Sequence, residues 1–227
     1  MPQNESFEIA GPAGRLEAIL MLPDAPPVAA GVVCHAHPQQ GGIMHFKVIF
    51  RAAKALQERG LATLRFNFRG VGLSEGVHDG GRGEQDDVIA ALDEAERRFP
   101  GLPLVLGGFS FGSAMALQVA ARDPRPRAVF ALGLPLTRIA DTSHIGAIRV
   151  PRLFIQGDGD VFGNGEAVRA FTSTLGGACE LRLIAESDHF FTGRLEQMQN
   201  ELSAWLATAP WTLDATRRGS EGAPAGS

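Results

Sequence analysis

No stretch of this sequence is apolar for the roughly 20 residues that a membrane helix needs, so no spanning segment is expected. Charge of one sign is not in excess either. There are 21 Lys and Arg against 25 Asp and Glu, a formal net charge of −4. That balance argues against a binder of nucleic acid or anionic lipid, which would carry a basic patch. Cysteine is scarce: Cys34 and Cys179 are the whole complement, too few for a disulfide framework. Two free thiols fit a reducing compartment. The opening residues MPQNESFEIA lack the basic and apolar regions of a secretory signal, and cytoplasmic residence is the expectation. Tyrosine is absent altogether, for which composition offers no physical reason. No internal repeat is visible, and no Pro/Gly linker divides two cores.

What is present is an ordinary globular composition: 227 residues, 44% hydrophobic and 20% charged, with 28 Gly and 14 Pro. A chain of this length can bury a full core. The one composition shift comes at Thr212, where TLDATRRGSEGAPAGS is polar and small. Residues 1–211 therefore read as one domain and 212–227 as a disordered tail. Before the tail, apolar runs alternate with helical patterns. SFEIA and RLEAILML read as an opening pair of strands. VAAGVVCHAH is a strand buried on both faces, and residues 46–59 have helical spacing. LATLRFNF is a strand, and EQDDVIAALDEAERRF is a helix with acids first and arginines last, matching its dipole. LPLVLGGFS, RAVFALGL, RVPRLFIQG and ELRLIAE are further strands. AMALQVAAR, EAVRAFTSTL and residues 190–207 are further helices. This alternation predicts an α/β fold, a mostly parallel central sheet with helices on both faces.

In such folds, ligands bind beyond the carboxyl ends of the strands, so reactive residues directly after strands matter most. Gly108-Phe109-Ser110-Phe111-Gly112 follows one strand and precedes one helix, the context of a G-x-S-x-G nucleophile elbow. Glycines are needed because side chains at those two positions would meet neighbouring backbone. The bland reading is a glycine-rich turn with a serine N-cap. A serine at its ordinary pKa is a poor nucleophile and needs a base, which needs an orienting acid. His189 follows ELRLIAE; Asp158 and Asp160 follow RLFIQ. The chain order Ser, Asp, His is that of α/β-hydrolases rather than of chymotrypsin or subtilisin. Asp160 has the extra reach toward His189, whereas Asp158 is better placed to bond backbone N–H groups.

The loop after VAAGVVC reads His35-Ala36-His37-Pro38-Gln39-Gln40-Gly41-Gly42. This position supplies one oxyanion donor in such hydrolases, the other being the N–H after the nucleophile, here Phe111. Pro38 has no N–H, which leaves His37 first and Gln39 second. His-x-His after a strand also begins some metal sites, but the remaining histidines form no second cluster; no metal and no cofactor are expected. Gly70-Val71-Gly72 hints at a dinucleotide loop, but Glu75 replaces the third glycine and no helix follows directly, so that fingerprint fails.

On these segments the sequence resembles the compact α/β-hydrolase superfamily, near its dienelactone-hydrolase-like and small bacterial esterase-type members. HAHPQQGGIMHFK, LATLRFNFRGVGLSEG, GGFSFGSA, IQGDGD and SDHFFTGRL carry the likeness, which extends to about residue 207. The resemblance implies Ser110 as nucleophile, His189 as base and Asp160 as acid. It departs at HAHP, where members usually read HPHP, and at VFGNGE, where a V-V-x-P-like turn is commoner. Dienelactone hydrolases carry a cysteine nucleophile, so Ser110 points to ester chemistry. The expected function is cleavage of short or medium acyl esters or thioesters; a peptidase, an acyltransferase or a non-catalytic binder on this scaffold are the alternatives. Only residues 135–148 separate two strands where a cap domain would insert, so no cap and an open, shallow site are expected. His144, Ile145 and Phe162 are candidate pocket-wall residues.

Overall fold

The structure, a computed structural model, describes residues 4–208; the proposed tail at 212–227 lies outside them. Eight strands and five α-helices follow the alternation read from the sequence. β1 (Asn4–Gly11) and β2 (Gly14–Met21) form a hairpin. Then come β3 (Ala29–Cys34), α1 (Lys47–Glu58), β4 (Leu61–Phe66), α2 (Arg82–Arg98), β5 (Leu104–Phe109) and α3 (Phe111–Ala120). β6 (Pro126–Leu132), β7 (Arg152–Gly157), α4 (Gly165–Ser173), β8 (Cys179–Ile184) and α5 (Leu195–Thr208) complete the domain. Several elements start a few residues from expectation, and for two helices the cause is local. α2 begins at Arg82, because Glu84 reaches back to the Gly81 N–H and caps the helix there. α5 begins at Leu195 rather than near residue 190. Phe191 has φ 54° and the Asp188 carboxylate accepts the Phe190 and Thr192 N–H groups, which locks residues 188–192 into a turn.

The sheet order is β1-β2-β4-β3-β5-β6-β7-β8. β1, β2 and β4 pair antiparallel, and every pair from β4 through β3 to β8 is parallel. From β3 the chain moves outward to β4, then returns to place β5 on the other side of β3. The order therefore reverses between β3 and β5, which opens a crevice beyond their carboxyl ends. Cys34 at the end of β3 is in register with Gly108 near the end of β5, so the loop after Cys34 and the turn after Phe109 emerge side by side.

Successive strand residues point to opposite faces, and the two faces hold separate cores. Val33, Val105 and Ile155 pack under α1 and α5 with Ile49, Leu56, Met198 and Leu202. Val32, Leu64 and Leu106 pack under α2 and α3 with Val88, Leu92 and Val119. β3, β4, β5 and β7 are buried along their whole length, and β4 and β7 carry Thr63, Arg65, Arg152 and Gln156 inside with their apolar residues. Between β6 and β7 lie only two 3₁₀ turns, Leu136–Arg138 and Ser143–Ala147; no cap domain is inserted. Among the described residues no helix is long and apolar enough to cross a membrane.

Candidate active site

Ser110 stands between β5 and α3 with φ 54° and ψ −122°, a conformation that costs a non-glycine residue on the order of 1–3 kcal/mol. Its N–H donates to the Leu132 carbonyl at 2.9 Å, and its carbonyl accepts from the hydroxyl of Ser113. The flanking glycines are required by contact. A Cβ on Gly108 would overlap the backbone of Gly112 and the Cys34 carbonyl, and one on Gly112 would run into the carbonyls of Cys34 and His35. The turn is thus pressed against the end of β3, and the Ser110 side chain is the part that projects.

His189 leaves the loop after β8 and Asp160 the loop after β7. His189 Nε2 lies 2.9 Å from Ser110 Oγ, and Nδ1 lies 2.7 Å from Asp160 Oδ2. With the Nδ1 proton donated to the carboxylate, Nε2 is left to accept the serine hydroxyl. Both groups are shielded, His189 being 4% exposed and Asp160 1%. The Asp160 carboxylate also accepts from Gln156 Nε2 at 2.7 Å and from the Phe162 N–H at 2.8 Å. Three rings enclose the imidazole: Phe162 at 4.7 Å, Phe109 at 5.0 Å and Phe190 at 5.2 Å between centroids. Asp158 faces elsewhere, its carboxylate accepting the Ser187 N–H at 3.2 Å.

The loop after β3 passes beside Ser110. His35 is fully buried and braces it: Nδ1 donates to the Ala36 carbonyl and Nε2 accepts the Phe68 N–H. Burial lowers its pKa to about 4, opposed by the hydrogen bond to Ala36, so the ring is neutral. His37 caps the 3₁₀ turn Pro38–Gln40 by accepting the Gln39 N–H on Nδ1, which occupies that N–H and removes Gln39 as a free donor. The backbone N–H groups of His37 and Phe111 donate to no other described residue. The His37 pKa is lowered by burial and by His78, against the opposing charge of Glu84. Cys34 lies beneath the site; burial, with the charge of Asp87 in the same sense, raises its thiol pKa far from the thiolate range.

Ser110, Phe111, His37 and His189 open onto one cavity of about 730 Å³. That lies within the roughly 300–1,000 Å³ of ordinary small-molecule sites, although no cap domain covers it. The segment after β6 supplies part of the wall through Arg138, Ile139, Asp141 and His144. His144 and Phe162 line the cavity as expected. Ile145 does not: it is fully buried against Leu117, Val129 and Phe154. Adjacent residues of a 3₁₀ turn point about 120° apart, and here the imidazole faces the cavity while the isoleucine faces the core. Sequence reasoning missed the wall formed by Met115 and Gln118 on α3, by Gln85 on α2, and by His78. The helical spacing of 111, 114, 115 and 118, one face running away from Ser110, was a usable signal for the first two.

A family model described as an alpha/beta hydrolase domain matches residues 29–212. The chain belongs to the α/β-hydrolase family. A serine hydrolase homologue from Coxiella burnetii superimposes with a TM-score of 0.84 at 36% identity, covering 88% of this chain and 96% of that one. A serine hydrolase without a lid from Xanthomonas campestris gives 0.82 at 32% identity, covering 98% and 97%. An uncharacterised protein of Rickettsia prowazekii is 33% identical over 207 residues, 87% of each chain. As an α/β-hydrolase without a cap, this chain shares its architecture with the lidless Xanthomonas protein.

Proposed function

We propose that this α/β-hydrolase is a carboxylesterase-type serine hydrolase that cleaves short or medium acyl esters or thioesters through an acyl-enzyme. Ser110 Oγ attacks the acyl carbonyl while His189 Nε2 takes its proton. Asp160 holds the imidazole in the productive tautomer and stabilises the imidazolium. The N–H groups of Phe111 and His37 receive the oxyanion, at the N-terminus of α3 where the helix dipole favours negative charge. His189 then returns the proton to the leaving alkoxide or thiolate. Water attacks the acyl-enzyme with His189 again as base. Every step uses groups of the chain and water.

The observation that carries this reading is the unbroken relay from Ser110 Oγ through His189 to Asp160, at 2.9 and 2.7 Å, across three separate loops. A chance helix cap would not need a buried histidine and a buried aspartate aligned behind it. The two free cysteines fit work in a reducing compartment such as the cytoplasm. The test is a panel of acyl esters of increasing chain length on the wild type and Ser110→Ala, with a fluorophosphonate probe on both. Ser110→Ala is expected to fold normally, to resist the probe and to lose activity by roughly 10⁴-fold or more. Activity within about tenfold of wild type overturns the reading.

A further inference from the structure

The wall that carries His37 and Phe111 holds a second imidazole with a carboxylate behind it. His78 Nδ1 lies 2.7 Å from Glu84 Oε1; the Glu84 side chain is fully buried and that of His78 is 13% exposed. Glu84 is fixed by two backbone donors, the Asp79 N–H on Oε1 and the Gly81 N–H on Oε2. Capping α2 needs only the bond to Gly81, so the cap does not account for the histidine. The His78 ring stands 4.8 Å from His37 and 5.8 Å from Phe111 between centroids, beside the residue after the nucleophile, and it lines the cavity.

The carboxylate lies close to Nδ1 but off the axis of a ring N–H, since no regular hydrogen bond joins them. A lone pair on Nδ1 facing a carboxylate oxygen at that distance would be repelled, so the proton belongs on Nδ1. In the neutral ring Nε2 is then an acceptor, and it bonds no described residue. A ligand that satisfies it must bring a donor. The rest of the cavity agrees with a neutral polar ligand. Gln40, Gln85 and Gln118 line it, and the Gln118 Oε1 is shielded without a hydrogen-bond partner among the described residues. A plain alkyl chain would strip water from these groups without replacing its hydrogen bonds. A carboxylate at His78 would meet the charge of Glu84. The arginine on the cavity wall, Arg138, stands instead over the Phe162 ring at 5.4 Å.

We propose that His78, positioned by Glu84, is a specificity-determining residue that accepts a substrate hydroxyl, and that the preferred substrates are esters of hydroxylated acyl groups. This rests on the serine-hydrolase reading above and names the substrate class of the same site.

The test compares kcat/KM for 4-nitrophenyl butanoate, its 2-hydroxy and 3-hydroxy analogues in both enantiomers, and the 4-nitrophenyl ester of hydrogen succinate. The wild type is expected to favour at least one hydroxy ester over butanoate by about tenfold, as one hydrogen bond supplies, and to favour it over the succinate. In His78→Phe, with folding checked by thermal unfolding, that ratio is expected to fall to about one. A wild-type ratio of one for every hydroxy ester, a preference for succinate, or an unchanged ratio in His78→Phe overturns the assignment. Fluorophosphonate labelling of Ser110 in the same samples separates the two failures. Labelling without a hydroxyl preference removes the role of His78 alone; no labelling and no ester cleavage removes the serine-hydrolase reading with it.

Discussion

Gln156 Nε2 donates to Asp160 Oδ2 at 2.7 Å, the same oxygen that lies 2.7 Å from His189 Nδ1. Gln156 sits inside β7 and is fully buried. Its Oε1 accepts the Leu134 N–H at 2.8 Å and its Nε2 also reaches the Gly163 carbonyl at 2.7 Å. One carboxamide thereby ties the acid loop to the turn after β6. Gln156→Leu keeps the volume and removes every one of these bonds. It is expected to cost about 1–3 kcal/mol for the groups left unpaired, read as a lower midpoint in urea. It is also expected to lower kcat by about tenfold, because Asp160 loses an anchor, with KM for butanoate esters little changed. An unchanged kcat would mean that the Phe162 N–H alone holds the carboxylate.

The two aspartates after β7 make a second prediction. Asp160 faces His189 and Asp158 faces the Ser187 N–H. Asp160→Asn is expected to favour the wrong imidazole tautomer and to lower kcat by about 10³–10⁴. Asp158→Asn is expected to act on the stability of the loop, on the order of 1 kcal/mol, with a much smaller loss of rate. The opposite ranking in steady-state assays would move the acid to Asp158 and leave Ser110 and His189 in place.

The close approach of the elbow to β3 makes a third. Gly112→Ala would drive a methyl group into the carbonyls of Cys34 and His35, which are backbone and cannot rotate away. The expected loss is about 1–3 kcal/mol of stability, together with slower fluorophosphonate labelling as the Phe111 N–H moves. Gly146→Ala is the control, since a Cβ there meets nothing within 4 Å, and it is expected to stay within about 0.5 kcal/mol of wild type.

How much of this was legible in the sequence depended on how local the signal was. The elbow is a strand, a turn and a helix in one continuous segment, so its context could be checked residue by residue. The order Ser110, Asp160, His189 is a property of the chain, and each residue follows an apolar run that reads as a strand. Gln156 was not legible, because a polar residue inside the apolar run RLFIQG carries no mark of what it will meet across the sheet. His78 lies in a glycine-rich loop without periodicity, and only the fold brings it beside His37. Ile145 and His144 are neighbours in a five-residue 3₁₀ turn, too short for a pattern to show which of them faces inward. The wall formed by Arg138, Ile139 and Asp141 was missed for the same reason: it is built by short irregular turns.

The buried histidine at the end of β3 gives the last prediction, and its sign follows from the direction of the shift. His35 is held neutral by burial, with a pKa lowered from 6.5 to about 4. In the unfolded chain the ring takes up a proton near pH 6.5; in the folded protein it does so only near pH 4. Between those values the unfolded state holds the extra proton, so acidification favours unfolding. The contribution of His35 is therefore complete above about pH 6.5 and is lost progressively down to about pH 4, on the order of 3 kcal/mol in total. Other groups titrate in the same range, so the comparison must be with a variant. His35→Gln keeps a polar side chain at the loop but cannot titrate. Urea midpoints of both proteins at pH 7.5 and pH 5.5 are the measurement. The wild type is expected to lose about 1 kcal/mol more than the variant over that interval. Parallel losses would show that the His35 ring binds its proton equally well in the folded and unfolded states, and that something other than a neutral, buried imidazole braces the loop beside Ser110.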